Sequence, residues 1–128
     1  MTEFCHGGTL FEVLHEKKKT IKNISFKQRW KMALDIAKGM HFMHSLKPPL
    51  MHRDLKSANV FLNSDDTVKL GDMNVSKVAT KEGLNFTQTG TPYYASPEVW
   101  RDEPYDIKSD IWSLGCVLYE MITLKPPF

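Results

Sequence analysis

Asp54 stands in the run His52-Arg53-Asp54-Leu55-Lys56-Ser57-Ala58-Asn59, and Asp72 follows thirteen residues after Asn59. These residue types suit the movement of a phosphoryl group onto an alcohol. The Asp54 carboxylate can accept the proton of an attacking hydroxyl. Lys56, two residues on, can neutralise charge on the transferring phosphate. Asn59 and Asp72 offer hard oxygen atoms, the ligands that Mg²⁺ prefers. Phosphoryl transfer asks little covalent chemistry of a protein, only positioning and charge neutralisation, so a few well-placed groups can suffice.

Such groups converge only if rigid elements hold them. Residues 50–59 must form a loop for the polar side chains to meet. Val60-Phe61-Leu62 and Val68-Lys69-Leu70 flank Asn63-Ser64-Asp65-Asp66, a turn signal, and predict a small hairpin. Upstream, Ser25-Phe26-Lys27-Gln28 fits a capping box. From there Trp30, Ala33, Leu34, Ala37, Met40 and Met43 or His44 recur at helical spacing, to an end near Ser45 before Pro48-Pro49. Residues 9–19 read as a short helix with Leu10, Phe11, Val13 and Leu14 as its apolar face, and residues 20–23 as a polar break. Residues 73–94 are polar and aperiodic, a long functional loop. Over 106–124 apolar residues cover almost every face, which predicts a helix buried all round, the core pillar of the fold. The fold class expected is α+β, mainly helical with one small β-hairpin.

Composition excludes several classes. The chain has 128 residues, 41% hydrophobic and 25% charged, as in ordinary globular domains. No apolar run is long enough to span a bilayer, so no membrane partner is expected. A net charge of +2 gives no reason to expect nucleic acid. Two cysteines, Cys5 and Cys116, fit a reducing, cytoplasmic setting better than a disulfide scaffold, and neither looks catalytic. His6, His15, His41 and His44 show no metal-ligand spacing and read as surface or core residues.

The catalytic run does not stand alone. Gly90-Thr91-Pro92-Tyr93-Tyr94 leads into Ser96-Pro97-Glu98, and Asp110-Ile111-Trp112-Ser113-Leu114-Gly115 follows. His-Arg-Asp-Leu with Asn four residues on, then a metal-binding Asp, then Ala-Pro-Glu, is the protein-kinase signature. With these blocks in order, the chain resembles a eukaryotic serine/threonine protein kinase. Within that family the runs around Asn59 and Thr91 look most like the NIMA-related (Nek) group. Two departures stand out: Ser96 replaces the Ala of Ala-Pro-Glu, and Asp72-Met73-Asn74 replaces Asp-Phe-Gly. The second keeps the metal ligand and puts switching of the loop in doubt more than chemistry.

The resemblance implies roles. ATP and Mg²⁺ are the expected cofactors, with Asp54 as base and Asn59 and Asp72 as metal ligands. Lys56 and Thr91 match the serine/threonine group, Thr91 bracing Asp54 and Lys56. Glu3 and Cys5 match hinge positions that meet the adenine edge, and Phe61 matches the floor of the adenine pocket. His52 and Met73 belong to a stack of structural side chains. Arg53 implies control by a phosphate on the activation loop, at Thr87, four residues before Thr91, or at Thr89. The partners implied are a protein substrate, ATP, and an activating kinase unless the loop phosphorylates itself. The group is associated with centrosomes and cilia, which adds a cytoskeletal location to the cytoplasmic expectation.

A domain of this family needs about 250 residues, at the upper end of single-domain sizes. The expectation is therefore a partial kinase domain over 1–128, running from hinge to central large-lobe helix, with the small lobe and last helices absent and little activity alone. The alternative is a non-catalytic kinase-like fragment that binds partners.

Overall fold

The computed structural model describes residues 5–15, 24–71, 77–78 and 92–128. Its elements run α1 (Leu10–His15), α2 (Phe26–Ser45), β1 (Leu50–Met51), β2 (Val60–Leu62), β3 (Val68–Leu70), β4 (Lys77–Val78), α3 (Pro97–Trp100) and α4 (Ile107–Thr123). Short 3₁₀ turns occupy Ser57–Asn59 and Pro92–Tyr94. The architecture is the expected α+β, mostly helical with short antiparallel strands.

Two capping boxes start the first helices. Ser25 and Gln28 exchange bonds between side chain and backbone, at 2.9 and 3.2 Å. Each thereby satisfies an amide that the helix cannot. Thr9 and Glu12 do the same at the head of α1, at 2.7 and 3.2 Å, a box the sequence reading passed over. The helix α2 ends at Ser45 as expected. Its buried face, however, is Met32, Ile36, Met40 and Met43. Met40 and Met43 are buried as expected and Ala33 packs against the core, whereas Trp30, 67% exposed, and Leu34 lie outside it, where Met32 and Ile36 are buried instead. Both sets have helical spacing; Met32, Ile36 and Met40 are the ones that join the core with Val60 and Val117, and Met fills irregular gaps well.

The hairpin is as predicted, with Val60 opposite Leu70 and Leu62 opposite Val68. Asp65 shapes its turn by accepting the Thr67 amide at 3.0 Å. The stretch 50–59 is not wholly loop, since β1 pairs antiparallel with β4 inside the stretch read as a long loop. Two-residue strands carry no periodicity to detect.

The main core joins α1, α2, β2 and α4 through Leu10, Leu14, Ile36, Met40, Leu55, Val60, Val117 and Met121. A smaller cluster unites Met51, Val99 and Tyr105. The helix α4 corrects the expectation of burial all round. Cys116, Val117, Glu120 and Met121 are buried, whereas Ile111, Tyr119 and Ile122 are exposed. Its neighbours among the described residues include α2, β1 and the Pro92–Tyr94 turn. Phe11 on α1 is likewise outside the core.

The segment before α1 is laced to β2. Gly7 donates to the Leu62 carbonyl at 2.7 Å, and Leu62 donates to Gly8 at 2.9 Å. A Cβ on Gly7 would lie 2.6 Å from the Leu62 oxygen, so only glycine permits this approach. Gly8 has φ 75, a conformation that also favours glycine.

Candidate active site

The loop between β1 and β2 folds its polar residues together as expected. Asn59 donates through Nδ2 to the Asp54 carbonyl at 2.8 Å and to Asp54 Oδ2 at 3.1 Å. Lys56 Nζ stands 2.9 Å from the same Oδ2. A single carboxylate oxygen is thus held between an ammonium and an amide. Because Nδ2 is committed to Asp54, the Asn59 side-chain oxygen is the atom that would meet a cation. The 3₁₀ turn Ser57–Asn59 makes this possible, bringing Asn59 back over Asp54 in five residues.

Beneath the loop lies a buried acid that the sequence reading left as part of a helix. Asp110, 2% exposed, accepts the backbone N–H of His52 through Oδ2 and that of Arg53 through Oδ1, each at 2.9 Å. His44 Nε2 is 2.8 Å from its Oδ2. The signal was available: an acid within an apolar helix must be paired if it is buried. Arg53 has φ 69, an unfavourable conformation for a side chain of its size. Asp110 holds the strained peptide from below.

His52 is fully buried, and its Nδ1 accepts the Asp54 amide at 3.4 Å. Burial depresses its pKa below the ordinary 6.5, more than Asp110, Asp54 and the Gly71 backbone raise it. Burial therefore favours the neutral ring.

A second buried acid ties the loop to distant elements. Glu120, 1% exposed, accepts Ser57 Oγ at 3.0 Å through Oε1 and Tyr94 OH at 2.7 Å through Oε2. His15 Nε2 lies 2.7 Å from Oε1. Burial chiefly, and Glu120 beside it, push the Tyr94 hydroxyl well above the usual phenol range, so it stays a donor. His15 and His44, read from sequence as surface or core residues, are therefore partners of the two buried acids.

Phe61 is part-buried on β2, facing away from the buried Val60 and Leu62. Its ring packs against Gly71, where a Cβ would lie 2.5 Å from the ring. An antiparallel bridge joins Thr9 to Phe61, which brings the Cys5–Gly8 segment alongside it. Cys5 is partly exposed there, and both cysteines are free. Burial raises the Cys116 thiol, in keeping with an inert core residue. Glu3, Asp72, Met73, Asn74, Thr87, Thr89 and Thr91 lie outside the described residues. Among the described residues no cluster of three or more His, Cys, Asp or Glu side chains could hold a metal. No helix among them is long and apolar enough to cross a membrane.

The sequence has named kin. It is 41% identical over 126 residues to the serine/threonine-protein kinase Nek4 of Mus musculus, covering 98% of this chain and 15% of that protein. It is 43% identical over 128 residues to Nek1 of the same species, covering 98% of this chain and 10% of Nek1. The serine/threonine-protein kinase CTR1 of Arabidopsis thaliana is similar at 40% over 129 residues, with 100% of this chain and 16% of CTR1 covered. The chain thus spans less than a fifth of each of these relatives. The family described as the protein kinase domain matches residues 1–128, the whole of the chain, and the chain belongs to that family.

Proposed function

We propose that the protein transfers the γ-phosphoryl group of Mg²⁺-bound ATP to serine or threonine hydroxyls of protein substrates. The observation that carries this reading is the Asp54 carboxylate held by both Lys56 and Asn59. Such a group is oriented to take a proton from an incoming hydroxyl. Lys56, 2.9 Å from Asp54, is near enough to neutralise charge on a phosphate that arrives beside the pair. The Asn59 oxygen is a hard donor of the kind Mg²⁺ takes, and Asp72 would complete the pair of ligands. Bound Mg²⁺ supplies neutralisation of phosphate charge.

Cys5 and Glu3, at the hinge, and Phe61, beside that segment, are proposed to border the adenine. Thr91 is proposed to brace Asp54 and Lys56. Arg53 is proposed to pair with a phosphate at Thr87 or Thr89, placed there by an activating kinase or by the protein itself. Two free cysteines support a cytoplasmic location, where thiols stay reduced. The test is phosphate transfer from labelled ATP to a general protein substrate by the full-length protein, with Mg²⁺ and with EDTA. Metal-dependent labelling of Ser or Thr that Asp54→Asn abolishes is the expected result. Labelling that persists in Asp54→Asn would overturn the assignment of the base.

A further inference from the structure

Arg53 is gripped from two sides. Asp110 fixes its backbone N–H, and Tyr105 fixes its side chain. The Tyr105 hydroxyl accepts Arg53 Nη2 at 2.8 Å and Nε at 3.1 Å, so two of the guanidinium's five N–H donors meet on one oxygen. The guanidinium carbon also lies 5.8 Å from the centre of the Tyr105 ring, within the range of a cation–π contact. Tyr105 is well placed to hold something still. It is 5% exposed and packs with Met51 of β1 and Val99 of α3. Asp106, the next residue, caps α4 by accepting the Lys108 amide at 2.7 Å. Ring packing on one side and a helix start on the other restrain the residue.

We propose that Tyr105 is a positioning residue for Arg53, fixing the guanidinium where it receives a phosphate on the activation segment. The inference rests on the reading of Arg53 given above and adds the group that makes that arginine competent. An arginine side chain has many rotamers, and a phosphate that must first order it binds more weakly than one that finds it ordered. Tyr105 acts through Arg53 and not on the reacting atoms. It also joins the β1–catalytic-loop side of the fold to the start of α4, which binds the regulatory arginine to the same helix that carries Asp110.

The full-length protein is assayed after phosphorylation and after phosphatase treatment, with one substrate and saturating Mg²⁺-ATP. The readout is the ratio of the two activities, which a merely structural residue would not move. Tyr105→Phe keeps the ring and removes only the hydroxyl. Its ratio is expected to fall by about tenfold, the scale of one hydrogen bond to a charged group, with a melting point within a few degrees of the wild type. A wild type that responds to phosphorylation beside a Tyr105→Phe variant that responds equally overturns the inference alone. A wild type indifferent to phosphatase overturns the reading of Arg53 and the inference with it. If Tyr105→Phe does not fold, Arg53→Lys decides the matter. It keeps the charge without the fork, and an unchanged ratio there overturns the proposal equally.

Discussion

Asp110 accepts the backbone N–H of Arg53 at 2.9 Å across 57 residues of sequence. That bond holds a residue with φ 69 directly before Asp54, and the Asp110 carboxylate takes the His52 amide as well. The loop between β1 and β2 is therefore not self-supporting. Its shape depends on a carboxylate delivered by α4, and α4 is placed by the apolar core it shares with α2.

Replacing Asp110 tests this dependence. Asp110→Ala leaves two backbone donors and His44 without their acceptor in a buried site. The expected loss is roughly 2–4 kcal/mol, since hydrogen bonds to a charged group contribute about 1.5–3 kcal/mol and buried donors are left unsatisfied. Thermal melting of the kinase domain reads it. A change below about 1 kcal/mol would mean that water replaces the carboxylate and that the loop is held by other contacts.

Asp54→Asn keeps the shape of the side chain and removes its basicity. Turnover of the full-length protein is expected to fall by about 10²–10⁴, the usual weight of a general base. Binding of ATP, measured by displacement of a fluorescent nucleotide, should change little. A variant that loses ATP binding together with turnover would instead point to a structural defect.

The contact of Gly7 with Leu62 makes a separate prediction. Gly7→Ala would set a Cβ 2.6 Å from the Leu62 carbonyl oxygen, so the segment must move away from β2. Overpacking of this kind costs about 1–3 kcal/mol. Because the displaced segment lies beside Phe61, KM for ATP should rise on the order of tenfold while KM for the protein substrate stays unchanged. Equal rises in both would place the segment away from the nucleotide.

His52 predicts a pH dependence of stability. Burial, the largest influence, lowers its folded pKa below 6.5. The unfolded chain therefore takes up the proton more readily than the folded one. The contribution to stability is whole above pH 6.5 and is lost as pH falls below that value toward the folded pKa. Urea midpoints for the wild type should drop between about pH 7.5 and 5.5 by more than those of His52→Gln, which has no proton to gain. Parallel curves for the two proteins would assign the effect to another group.

Asp54, Lys56 and Asn59 were legible in the sequence because they lie within six residues, and a tight turn is enough to bring them together. The hairpin was legible for the same reason: Asn63 to Asp66 turn the chain by local bonding, and alternation sets the pairing. The helix α2 announced its length through its capping box and periodicity, and α4 through its long apolar run. Their faces were another matter. Trp30 and Met32 are both consistent with a helical stripe, and only the core shared with Val60 and Val117 chose Met32.

What only the tertiary structure decided are the bonds that span the chain: Asp110 to Arg53, Glu120 to Ser57, His15 to Glu120, and Tyr105 to Arg53. Each joins residues 50 or more positions apart, so no spacing rule records it. By itself the sequence determined which candidate groups stand close together and the local turns that gather them, since both depend on covalent neighbours. Burial decided the rest. A carboxylate taken out of water must find donors, and which donors are near depends on how the helices pack.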